Sequence, residues 1–172
     1  MFLASQSISP TILEAVATTF ALDVPKSALL VLPAAAPVNG VLEELHELGV
    51  NARSLGLQDE DRGKQALMRS TLRKFNPRRR IKRDGDGDEA EPSLLLTTQA
   101  SVRGLDLPEL SHVFVVGVPE SEVEYHHVAG RVGRFGRQGR VVVFLEQGEK
   151  DRFGRLYRGL GVSLSEFEHI RA

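Results

Sequence analysis

Tyr125-His126-His127-Val128-Ala129-Gly130-Arg131-Val132-Gly133-Arg134-Phe135-Gly136-Arg137-Gln138-Gly139 sets an arginine on every third residue, a period that Arg140 continues, and each arginine follows a glycine. Glycine admits close backbone approach and left-handed angles. Arginine presents a rigid fork of donors that matches phosphate oxygens. The stretch therefore reads as a phosphate-handling site. Two plainer readings fail on its surroundings. A disordered Gly-Arg tail belongs in low-complexity sequence. Here Ser121-x-x-Glu124 opens a helix with a capping box, and Val141-Val142-Val143-Phe144-Leu145 follows as a buried-strand run. A solvated arginine face fails because glycine at every third position melts the helix that would carry it.

Working outward, the chain alternates helices with short apolar strands. Ser9-Pro10 opens a helix with apolar Ile12, Leu13, Val16 and Phe20. Ala28 to Leu32 reads as a buried strand, Val38 to Leu48 as a helix closed by Gly49, and Asn51 to Leu55 as a weak strand. Glu60 to Phe75 has the period of a long amphipathic helix. Leu94 to Thr97, Val113 to Val116 and Val141 to Leu145 are three more buried strands, followed by helices near Lys150 to Leu160 and Leu164 to Ile170. Continuous apolar strands separated by helices predict an α/β fold, a mostly parallel sheet with helices on both faces. Ligands of such sheets bind at the carboxyl ends of the strands.

The 172 residues make one domain, large enough to bury about 70% of its unfolded surface. With 22 Lys+Arg against 23 Asp+Glu, a nucleic-acid function must rest on a local patch and not on global charge. Scarce aromatics argue against a plain basic RNA-binding module. No cysteine is present, which removes disulfides and thiolate metal sites. His46, His112, His126 and His169 have no metal-ligand spacing, so no metal site is expected. No apolar run reaches membrane-span length and no leader pattern opens the chain, so an intracellular protein without a membrane anchor is expected, its compartment and oligomeric state open.

Asn76 to Pro92 breaks the pattern. Arg78, Arg79, Arg80, Lys82 and Arg83 are followed by Asp84, Asp86, Asp88, Glu89 and Glu91, with almost nothing apolar, and residues 76–92 read as a disordered charged insertion. Asp84-x-Asp86-x-Asp88 is not a calcium loop, because Glu89 replaces the required glycine. Asp88-Glu89-Ala90-Glu91 has no apolar strand before it, and Gly63-Lys64 lacks the other residues of a phosphate loop.

Tyr125, His127, Ala129, Gly130, Arg131, Gly133, Arg134, Gly136, Arg137 and Gly139 resemble motif VI of the DEAD-box RNA helicases, Tyr-x-His-Arg-x-Gly-Arg-x-Gly-Arg. Upstream, Thr98-Gln99-Ala100-Ser101-Val102-Arg103-Gly104-Leu105-Asp106-Leu107-Pro108 resembles motif V, Thr-Asp-x-x-x-Arg-Gly-x-Asp-x-Pro, and Val113 to Pro119 resembles the strand and proline between the two. The resemblance covers essentially the whole chain. It implies one RecA-like domain over residues 1–172, the second of the two that these helicases carry. It also implies ATP with magnesium as cofactor, held mainly by the absent N-terminal domain, since no Walker A or Walker B motif is present. The partners implied are RNA and that N-terminal RecA-like domain.

The resemblance assigns roles residue by residue. Arg131 and Arg134 map onto the pair that reaches the γ-phosphate across the interdomain cleft. Asp106 maps onto a contact to the nucleotide ribose or to motif VI, Gly104 lies beside the nucleotide, and His127 positions the loop. Thr98, Arg103 and Gly104 map onto RNA phosphate contacts. Several positions depart from the family. In Leu30-Val31-Leu32-Pro33-Ala34-Ala35-Ala36, the threonine and lysine of motif IV fall on Ala34 and Ala35. Gln99 stands for the motif V aspartate, and Val128 stands where motif VI has its first arginine, a group expected at the domain interface. The expectation is a divergent helicase domain, inactive alone. The alternative is a non-catalytic, helicase-derived scaffold in RNA–protein or organellar ribosome assembly.

Overall fold

The computed structural model describes residues 7–25, 27–55, 94–102, 110–130, 132, 138–161, 163 and 165. The predicted helix over Glu60–Phe75, the charged insertion over 76–92 and the last predicted helix lie outside the described residues.

Helix α1 (Pro10–Asp23) starts as its sequence requires, with proline in the first turn and the Ser9 hydroxyl accepting the N–H of Ile12. It ends at Val24, whose N–H still reaches the Phe20 carbonyl and whose φ +44° and ψ +58° turn the chain out of the helix. Strand β1 (Ala28–Leu32) is buried along its whole length. Helix α2 (Val38–Glu47) is followed by Gly49 at φ +79°, the left-handed exit that glycine permits. Then come β2 (Ala52–Ser54), β3 (Leu94–Thr98), the single turn α3 (Gln99–Val102), β4 (His112–Val116), α4 (Glu122–Ala129), β5 (Arg140–Phe144) and, after a 3-10 turn, α5 (Lys150–Leu160).

The five strands form one sheet in the order β2-β3-β1-β4-β5, and every pairing is parallel. β1 lies at the centre, with Leu32 beside Thr98 on one flank and Ala28 beside His112 on the other. Side chains alternate across the sheet. Leu30, Leu32, Leu94, Leu96, Phe114 and Phe144 face one side, under Ile12, Leu13 and Val16 of α1 and Val41 and Leu45 of α2. Leu29, Val31, Leu95, Val113 and Val115 face the other, under Val102 of α3 and Val128 of α4. The strands are apolar on both faces because both faces are covered. This is the expected RecA-like α/β architecture.

Element bounds move from the sequence reading by a residue or so. β3 runs on to Thr98, and β4 and β5 begin at His112 and Arg140, one residue earlier than their apolar runs. A polar residue joins a strand end at no cost where its side chain finds a partner. The predicted N-cap of α4 forms, with Ser121 Oγ accepting the N–H of Glu124 at 3.2 Å, but the box does not close on Ser121: Glu124 Oε2 accepts the N–H of Glu120 instead, at 2.9 Å.

Candidate nucleotide and RNA interface

β1 and β3 are neighbours, yet their following connections leave on opposite faces, α2 on one and α3 on the other. Such a reversal opens a crevice outside the carboxyl ends of the two strands. On the β3 side stands Thr98. Its Oγ1 accepts the N–H of Ser101 at 3.3 Å and donates to Ser101 Oγ at 3.2 Å, closing the turn α3. The hydroxyl proton of Thr98 is therefore engaged, and the half-buried Ser101 holds the other end of the contact. The sequence reading did not single out Ser101. The Thr98-x-x-Ser101 spacing, that of a helix cap, is the signal that could have found it. Gln99, in the aspartate position, is buried.

On the β1 side the chain turns at Pro33–Ala36, where the Ala36 N–H reaches the Pro33 carbonyl at 3.0 Å, and Ala34 and Ala35 are exposed. The motif IV positions therefore do lie at the crevice, without charge. Farther along the same edge the surface is acidic. Glu120 and Glu146 are exposed, and Glu149 lies near Gly117 and Pro33 at the ends of β4 and β1. Among the described residues, the groups outside β1 and β3 are neutral, while those outside β4 and β5 include the carboxylates of Glu120, Glu146 and Glu149.

Motif VI starts on α4 and returns toward the amino ends of the strands. His126 and His127 are exposed on α4, and Tyr125 is buried, which pushes its hydroxyl above the ordinary tyrosine range. Val128 is only 3% exposed and packs among Leu29, Val31, Leu95, Val102 and Val115. Where the family has an arginine, this chain has a core valine, because the position follows Tyr125 by one helical turn, on the sheet-facing side. Gly130 lets the helix close tightly, since a Cβ there would stand 2.8 Å from the His126 carbonyl oxygen.

Val132 pairs with Leu110 in a parallel bridge outside the named strands. Leu110 follows motif V in sequence, and Val132 lies inside motif VI. Arg103, Gly104, Asp106, Arg131, Arg134 and Arg137 lie outside the described residues.

Arg140 is described, and it leaves the arginine series. It opens β5, and its guanidinium pairs with Asp23 Oδ1 at the end of α1. His112 Nε2 stands 3.6 Å from Asp23 Oδ2, while its Nδ1 lies 3.0 Å from Ser111 Oγ, which donates to the Ser27 carbonyl. Burial lowers the His112 pKa, Asp23 opposes that shift, and Arg140 adds to it. The cluster ties α1 to the amino ends of β1, β4 and β5. Among the described residues no group of side chains could hold a metal ion, and no helix is long and apolar enough to cross a membrane.

The family model described as "Helicase conserved C-terminal domain" matches residues 54–136, which contain motif V, motif VI through Gly136, and the Leu110–Val132 bridge. The chain is a C-terminal RecA-like helicase domain of the DEAD-box kind. It is 31% identical over 126 residues to the ATP-dependent RNA helicase DeaD of Buchnera aphidicola, covering 73% of this chain and 18% of that one. It is 35% identical over 79 residues to the probable ATP-dependent RNA helicase YfmL of Bacillus subtilis, covering 46% of this chain and 21% of that one. The chain thus spans about a fifth of the length of these curated relatives. Among solved structures it is similar in fold to the C-terminal domain of the DEAD-box protein Dbp5, with a TM-score of 0.66 and 19% identity over 89% of this chain and 80% of that one. It is likewise similar to the E. coli DEAD-box protein SrmB bound to the regulator of ribonuclease activity RraA, with a TM-score of 0.67 and 21% identity over 92% and 87% of the two chains.

Proposed function

We propose that this domain completes the ATP site of an RNA helicase by supplying Arg131 and Arg134 to a nucleotide held on an N-terminal RecA-like domain. The observation that supports this reading best is the Leu110–Val132 bridge, because Leu110 follows motif V in sequence and Val132 lies inside motif VI. ATP would bring the phosphoanhydride whose hydrolysis drives the cycle. Asp106 and Gly104 suit a ribose and its surroundings, and His127, exposed on α4, suits contact across a domain cleft. The two guanidinium forks would neutralise charge that grows on the γ-phosphoryl oxygens as the bond breaks. An arginine placed so is worth roughly 10³–10⁵ in rate. RNA would run outside β1 and β3, across Thr98, Arg103 and Gly104, because the described residues outside β4 and β5 include exposed carboxylates.

The test is RNA-stimulated ATP hydrolysis by the protein with its N-terminal domain in place, comparing wild type with Arg131→Ala and Arg134→Ala. Each substitution should lower kcat by at least about 100-fold and leave the KM for ATP nearly unchanged. Wild-type kcat in both would refute the reading and leave the domain a scaffold.

A further inference from the structure

We propose that Val132, held by Leu110, is a positioning residue that sets where Arg131 and Arg134 stand; the inference rests on the function proposed above. Val132 follows Arg131 directly and precedes Arg134 by two residues. Gly130 and Gly133 bracket that short segment in sequence, and glycine favours no single backbone conformation. Val132 counters this in three ways. Its backbone bridges Leu110, its N–H donates to the Ala129 carbonyl at 3.1 Å, and its side chain packs on the apolar cluster that holds Val128, Leu110 and Val113. A β-branched side chain adds stiffness of its own.

Leu110 is a fixed post for this tether. It is 2% exposed. Its neighbour Ser111 gives its N–H to the Ser27 carbonyl at 3.0 Å and accepts the Arg140 N–H at 3.0 Å, so it is stitched to the starts of both β1 and β5. Leu110 is also four residues beyond Asp106. The bridge is thus a backbone contact through which a shift at Leu110 can reach Val132 and the arginines next to it in sequence. Transition-state contacts tolerate little error, since a misplacement of about 1 Å can cost roughly 100-fold in rate.

The experiment uses the protein with its N-terminal domain in place and measures kcat, KM for ATP and melting temperature for wild type, Val132→Ile, Val132→Gly and Arg131→Ala. Val132→Ile keeps the branch and the burial and should hold kcat within about twofold. Val132→Gly should lower kcat by about 10- to 100-fold with KM within about twofold, while the protein stays folded at the assay temperature. Full kcat in Val132→Gly beside a crippled Arg131→Ala overturns the positioning role and leaves the proposed function standing. Full kcat in Arg131→Ala overturns the proposed function itself. If Val132→Gly does not fold, Val132→Ala decides by the same criteria. A loss in kcat that vanishes when the assay is cooled below the variant's melting transition means Val132 serves stability alone, and that also overturns the proposal.

Discussion

Replacing Val128 by the arginine of the family pattern should damage the fold and give no new interface contact. The position is 3% exposed, and it shares an apolar cluster with Leu29, Val31, Leu95, Val102, Leu110 and Val115. No carboxylate belongs to that cluster among the described residues. The substitution forfeits about 1.5–3 kcal/mol of valine burial. It also brings a guanidinium with no partner into an apolar layer, a fault that alone costs several kcal/mol. The side chain escapes part of this by snorkelling, so a net loss of about 4–5 kcal/mol is expected. For a domain of this size that is a fall of roughly 10–20 °C in melting temperature. Val128→Ala, which leaves only a cavity, should cost about 2 kcal/mol. Thermal unfolding followed by circular dichroism on the isolated domain measures both. A melting temperature for Val128→Arg within about 2 °C of wild type would mean that the residue faces solvent and that α4 is turned about its axis.

Arg140→Ala should behave unlike Arg131→Ala: kcat of the complete protein stays near wild type, while stability drops by roughly 1–2 kcal/mol because Asp23 loses its partner. Because burial lowers the His112 pKa, the unfolded chain binds that proton at higher pH than the folded one. Stability should therefore be full above about 6.5, the ordinary histidine value, and decline as pH falls below it until the folded group also titrates; His112→Gln should flatten the decline in urea titrations between pH 5 and 8. Ala34→Thr with Ala35→Lys, at the neutral crevice, should steepen the log-affinity against log-salt slope for single-stranded RNA by roughly 0.7; an unchanged slope would mean RNA does not cross the end of β1. Val24→Gly should raise the melting temperature, since an exposed valine at φ +44° is strained and glycine is not, and a lower melting temperature would show that the valine side chain makes a stabilising contact.

Much of this fold was legible because its signals are local and redundant. Ser9-Pro10 fixes one helix start and Gly49 one helix exit, and five-residue apolar runs in a helix-rich chain have few placements other than a parallel sheet. Motif spacing also placed Thr98 at a strand end. What the sequence did not reveal is which way particular side chains point. Arg140 continues a perfect sequence period, yet its partner Asp23 lies 117 residues away, and no local rule announces that pairing. Val128 was weighed by alignment with a motif, while its burial follows from the helical turn that separates it from Tyr125. Ser101 was passed over because a cap inside a motif looks like motif filler.

The strand order bears on how the chain is made. β1 is the centre of the sheet, and both of its partners come late: Leu94, the start of one neighbour, follows Leu32 by about sixty residues, and His112 comes later still. At about 5–20 residues per second, a ribosome leaves β1 without either neighbour for several seconds. During that wait Ala-Leu-Leu-Val-Leu offers two open edges and two apolar faces to any nascent chain nearby. Synthesis halted before Leu94 yields helices with no sheet to pack on, so the first half of this domain has no stable fold of its own to wait in.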